Sequence, residues 1–213
     1  MPNLDDNYME GLRLFYLQKY DEAAEQLTRT AEAGSAKAQH FLAMMYENGN
    51  GIAVDLEKAA YWYGRTAEQG DKEAQLTYAM LCALGKGVEA DIAAACHWAT
   101  RSFHQGNANA IQTLQIVRGQ AAEAVESAIE AFKAAHAAGD EAAAASALER
   151  AAECGNADAQ FGFAQLLYEG KGVKEDRKEA MFWYGEAAAL GHTEAKARLD
   201  ELTALPVDEE PSV

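Results

Sequence analysis

The chain is short of everything a sheet protein uses. It has three prolines in 213 residues and no run in which aliphatic and polar residues alternate. Strands need that alternation and turn residues to separate them, so the fold class is all-α. Long apolar runs are missing too. None approaches the ~20 residues that a membrane-spanning helix needs. The first thirty residues carry Asp5, Asp6, Glu10 and Arg13 and no apolar core segment, so no secretory signal is visible and a cytoplasmic location is expected. Cysteine is scarce and odd in number: Cys82, Cys96 and Cys154. Their spacing is not that of a metal site, and they are read as reduced packing residues.

Positive charge is scarce as well. Eighteen lysines and arginines face thirty-four acids, a net charge of −16. Nucleic acid and an anionic membrane would both be repelled, which excludes them as main partners. A basic partner would be attracted. Catalytic patterns are also missing. His40, His97, His104, His136 and His192 form no two-histidine metal motif, and neither G-x-S-x-G nor C-x-x-C occurs. Gly-Lys-Gly-Val at 85–88 and at 170–173 lacks the spacing and the ending of a phosphate loop. No enzyme activity, cofactor or metal is expected.

What the chain does have is a period of 36 residues. The stretch from Gly34 to Gly70 returns from Gly70 to Gly106 and again from Gly155 to Gly191. Ala38, Ala74 and Ala159 correspond, as do Gly49, Gly85 and Gly170, then Gly51, Gly87 and Gly172, then Asp55, Asp91 and Asp176. Trp62, Trp98 and Trp183, all the tryptophans present, occupy one slot, 28 residues after the opening glycine. Fixed-period self-similarity is the mark of a repeat solenoid. Within a unit, Ala38, Leu42, Ala43 and Tyr46 form one helical stripe. Gly-x-Gly ends that helix, an aspartate caps the next, and Ala59, Trp62, Tyr63 and Ala67 share a face. The closing glycine, at Gly34, Gly70, Gly106, Gly155 and Gly191, suits a left-handed C-cap. Each unit is thus an antiparallel helix pair that must stack on neighbours.

Taken in order, the chain is expected to form one domain over 1–204. A short hairpin at 4–34 is followed by repeats at 35–70 and 71–106. An irregular section runs over 107–155, a further repeat over 156–191 and a capping helix over 192–204. The acidic 205–213, LPVDEEPSV, is read as disordered. Eleven or twelve helices result. The irregular section contains either one long helix over 107–138 or two, and Val117-Arg118-Gly119 favours two because it looks like a C-terminus with a glycine cap. The tryptophans are expected to be buried between first and second helices, with Trp98 the most critical because repeats flank it on both sides.

The pattern A-Q-x-x-L-A-x-x-Y, G-x-G, Asp, K-A, W-Y and closing Gly, read from Ala38 to Gly70, resembles the Sel-one-like repeat, a relative of the tetratricopeptide repeat. The copy from Ala74 departs at Cys82 and Ala99, where aromatic residues are the pattern. The resemblance implies a right-handed α/α superhelix that serves as an adaptor or scaffold. It implies that a protein or peptide, basic in keeping with the acidic chain, binds the concave face lined by first helices. The positions so marked are His40, Met44 and Glu47, then Leu76 and Met80, then Phe161, Gln165 and Tyr168, with Glu73 on the rim. Met44, Leu76 and Met80 are the expected centre. Some bacterial members are inhibitors or immunity proteins that mask a toxic enzyme, which is the alternative. A hydrolase, proposed for cysteine-rich relatives, is a second, and the regular cysteine pairs of those relatives are missing here.

Overall fold

The computed structural model describes residues 3–204, so the expectation for 205–213 falls outside the described residues. Among them are twelve α-helices and no strand. They group into two compact units, one ending at Gln120 and one beginning at Ala121. The first contains α1 (Leu4–Tyr16), α2 (Tyr20–Glu32), α3 (Ala36–Asn48), α4 (Leu56–Glu68), α5 (Lys72–Leu84), α6 (Ile92–His104) and α7 (Ala110–Arg118). The second contains α8 (Ala122–Ala138), α9 (Glu141–Glu153), α10 (Ala157–Glu169), α11 (Arg177–Ala189) and α12 (Thr193–Ala204). Within each unit every helix packs on the next. Leu27, Leu42, Trp62 and Tyr63 anchor the core of the first, and Phe163, Leu167, Trp183 and Tyr184 that of the second.

Local chemistry explains the helix boundaries. Asp55, Asp91 and Asp176 each accept a hydrogen bond from the backbone N–H three residues on, at 2.9–3.0 Å, which satisfies one of the donors a helix leaves open at its start. Gly49, Gly85 and Gly170 end α3, α5 and α10 in the left-handed conformation. The second glycine of each Gly-x-Gly has a different task. A Cβ on Gly87 would run into the carbonyl oxygen of Leu56 at the start of α4, and one on Gly172 into that of Glu141 at the start of α9. The turn is therefore seated directly on the second helix of the preceding hairpin. The sequence suggested a helix break; the structure adds a stacking contact.

The Ala-Gln that recurs in each repeat also acquires a role. Gln39, Gln75 and Gln160 are buried, and each donates its side-chain N–H to the carbonyl of Ala31, Ala67 or Ala152, at 2.9–3.1 Å. That carbonyl lies in the last turn of the previous second helix, so each glutamine locks a first helix to the hairpin before it. The amide oxygen then accepts from Gln69 (2.6 Å, onto Gln39) and from Gln105 (2.8 Å, onto Gln75), both at the ends of second helices. The corresponding residue at the end of α11 is Leu190, and Gln160 Oε1 has no hydrogen-bond partner among the described residues. Leu190→Gln should complete the ladder and stabilise the second unit by about 1 kcal/mol, the net value of a hydrogen bond. A chemical-denaturation midpoint equal to that of the wild type would contradict this.

One expectation holds in the irregular section and one is corrected beside it. Residues 107–138 form two helices, and Gly119 is the C-cap of the first, as the sequence suggested. Its φ is −64°, and the left-handed cap falls on Gly139, at 73°, after α8. The break between α7 and α8 coincides with the boundary of the two units. The correction concerns the tryptophan slot. Trp62 and Trp183 are buried, at 9% and 2% exposure, whereas Trp98 is half-buried. The helix packed after α6 has nine residues, where α5, the helix packed after Trp62's α4, has thirteen. Trp98 instead meets the edge of Tyr78 and the guanidinium of Arg101, 5.8 and 5.9 Å away.

Candidate partner-binding surface

The ninth residue of α1 is Leu12, of α3 Met44, of α5 Met80 and of α10 Gln165. Equivalent slots of stacked first helices present equivalent faces. In the first unit this slot is apolar and open. Leu12 and Met44 are half-buried, and Met80 is 48% exposed. Ile116, 36 residues after Met80 on α7, continues the column and is 57% exposed. The sequence reading missed Ile116 because the repeat motif lapses there, although the 36-residue step from Met80 points to it. In the second unit the same slot is polar, since Gln165 is exposed.

The neighbouring side chains are tied into the fold to different degrees. Glu47 accepts the Tyr63 hydroxyl at 2.8 Å. Burial, and then that carboxylate, push the Tyr63 phenol well above its ordinary pKa, so it stays a donor. His40 lies with Nδ1 3.6 Å from Asp71 Oδ1 and edge-on to Tyr63 at 5.6 Å. Glu73 is exposed and accepts from the Asn107 amide at 3.2 Å. Leu76 is a correction. It is only 9% exposed and cannot anchor a partner at the centre of the strip. It sits beside Gln75 and three residues before Ala79, both buried, so helix geometry rotates it onto the packed side of α5.

A cavity of about 180 Å³ opens beside Met44. Tyr8, Phe41 and Met44 supply its apolar lining, and Lys37, His40 and Asp71 its polar groups. Tyr8 and Phe41 meet edge to face at 6.5 Å. The Lys37 ammonium is engaged by Asp5 at 2.8 Å. Asp71 uses Oδ1 to cap α5, accepting from the Ala74 N–H at 2.8 Å.

The other marked residues lie in the second unit. Phe161 is half-buried and stacks on His192, with ring centroids 4.5 Å apart. Tyr168 is half-buried, with the guanidiniums of Arg177 and Arg198 over its ring at 5.5 and 5.1 Å. Both rings are thus occupied within the fold. Among the described residues no group of histidine, cysteine and acidic side chains could hold a metal ion, and no helix is long and apolar enough to cross a membrane. The three cysteines are buried and unbridged. Burial pushes the Cys82 thiol up to about 11, which leaves it protonated and unreactive at neutral pH.

The sequence model of the Sel1 repeat matches residues 36–71, 72–107 and 157–192. The chain belongs to the Sel1 repeat family. The matched segments fall on the α3–α4, α5–α6 and α10–α11 pairs. Among solved structures the chain is similar to c5321, a protective antigen of uropathogenic Escherichia coli with an SLR fold. The two are 24% identical with a TM-score of 0.48, over 98% of this chain and 43% of that one. It therefore spans less than half the length of the antigen. It is also similar to a Sel1 repeat protein from Oxalobacter formigenes (24% identity, TM-score 0.45, 95% of this chain and 79% of that one). A third is cysteine rich protein B of Helicobacter pylori (21% identity, TM-score 0.42, 51% of this chain and 92% of that one). No curated protein matches the chain.

Proposed function

We propose that this Sel1 repeat protein binds a segment of another protein along the first helices of its first unit. Sel1 repeat proteins are in general protein–protein interaction modules. The observation that carries the reading to a face of this chain is the column of Leu12, Met44, Met80 and Ile116, apolar throughout, half-buried on α1 and α3 and exposed on α5 and α7. Methionine suits adaptable contact, because its unbranched side chain repacks against different shapes. Unpartnered apolar side chains repeated along one face are what a docked segment covers.

The flanking charges choose among segments. Glu47, Asp71 and Glu73 lie beside the column, and Lys37, which lines the cavity with Met44, is already paired with Asp5. A segment with lysine or arginine between its apolar anchors fits best. The anchors supply most of the affinity, while the acids govern association rate and salt dependence.

A displayed random-peptide library selected on the whole protein supplies a ligand, and titrations of the enriched peptide test the site. Met80→Ala should weaken binding by about 1–2 kcal/mol, as at an interface anchor. Glu47→Gln keeps an acceptor for Tyr63 and should have a smaller effect that fades with added salt. A folded Met80→Ala/Ile116→Ala protein that binds as well as wild type would move the site off this face.

A further inference from the structure

We infer that the cavity between α1, α3 and the start of α5 receives one arginine side chain of the bound segment. This rests on the reading above and adds its specificity element. The walls match a guanidinium. Tyr8, Phe41 and Met44 offer an aromatic and thioether surface against which a planar cation packs. Asp71 lines the same cavity, and its Oδ1 serves the α5 cap and faces His40. Its Oδ2 has no partner among the described residues and is left for an incoming donor. A carboxylate pairs best with a guanidinium.

Charge decides against an anionic occupant. The one permanent cation in the wall, Lys37, is held by Asp5 at 2.8 Å, and an incoming carboxylate would meet Asp71 and Asp5 together. Size is consistent, since about 180 Å³ is room for a side chain and not for a folded element. The pocket is also particular to this place. The positions of His40, Phe41 and Asp71 are occupied by Leu76, Thr77 and Asn107 one repeat later, and by Phe161, Gly162 and His192 in the last repeat. Neither set offers the acid together with the aromatic wall. The column of apolar anchors repeats, so it cannot fix which part of a segment lies where. A single arginine pocket beside Met44 sets that register.

The test uses three blocked tripeptides, acetyl-Leu-Arg-Leu-amide and its Gln and Glu counterparts, titrated into isotopically labelled full-length protein and followed by NMR. The arginine peptide should bind saturably, at least fivefold tighter than the glutamine peptide and tighter still than the glutamate one. The shifts should centre on Tyr8, Phe41, Met44 and Asp71. Asp71→Asn keeps a good helix cap and should abolish the preference for arginine without changing the melting temperature. Phe41→Leu should weaken the arginine peptide and leave the glutamine peptide unaffected. No saturable shift at these residues, or equal binding of all three peptides, overturns the pocket. In that event, library peptides that still depend on Met80 would show that the apolar strip stands without it.

Discussion

Replacing Trp183 with alanine should cost the second unit roughly 3–5 kcal/mol, the range for deleting a large aromatic from a core. The indole is 2% exposed. It meets the edge of Phe163 at 5.9 Å and belongs to one core cluster with Leu148 of α9, Leu167 of α10 and Ala195 of α12. Few neighbours could collapse into the space, because the surrounding residues Ala159, Ala164, Ala180 and Ala187 are small and held on helices. Trp98→Ala should cost about half as much, since a half-buried ring removes less apolar area from water. This reverses the order that symmetry of the repeat suggests, where the middle tryptophan matters most. Denaturant unfolding followed by the helical circular dichroism signal decides it. Equal losses at the two positions, or a larger loss at Trp98, would contradict the packing described.

Gly87→Ala should be the most damaging glycine substitution in the first unit, at roughly 3 kcal/mol. Two costs add. Gly87 has φ of 70°, where an L-residue loses about 1–2 kcal/mol. Its new methyl would also meet the backbone of Leu56 and Glu57, and overpacking against backbone costs about 1–3 kcal/mol. Gly70 is the control. It has φ of 91°, and a Cβ there would meet nothing within 4 Å, so Gly70→Ala should show the strain alone. The difference between the two variants in urea midpoint measures how tightly the turn is seated on α4. Equal effects would mean that the turn does not set hairpin spacing.

The repeat was legible because its punctuation is chemical. Glycine at fixed offsets, aspartate before each second helix and tryptophan in one slot all report backbone requirements that act within a few residues. The glutamine ladder was not legible for the opposite reason. Gln39 bonds to Ala31, eight residues back, and to Gln69, thirty residues on. Spacing alone does not distinguish a buried bridging amide from a surface one. Leu76 and Met80 are not told apart in the sequence because α5 is apolar almost all round, from Ala74 through Cys82. A stripe with no polar edge does not say which side is covered. Ile116 went unnoticed because the glycines and the tryptophan that mark a repeat are missing after it, although the side-chain column carries on for one more helix. Trp98 looked equivalent to its counterparts because the glycine, aspartate and tryptophan marks of its own repeat are all in place, whereas the helix that follows it, α7, has only nine residues.

Methionine methyl groups offer the most direct reading of where a partner segment sits. The protein is labelled on its methionine ε-methyls, and a peptide enriched by selection on the whole protein is added. Met44 and Met80 lie on the proposed strip. Met45, its neighbour on α3, is buried at 1% exposure, and Met181 lies on α11 in the second unit. The account predicts saturable shifts at Met44 and Met80, with Met45 and Met181 unchanged. Saturable binding that moves Met181 and leaves Met44 and Met80 in place would contradict it.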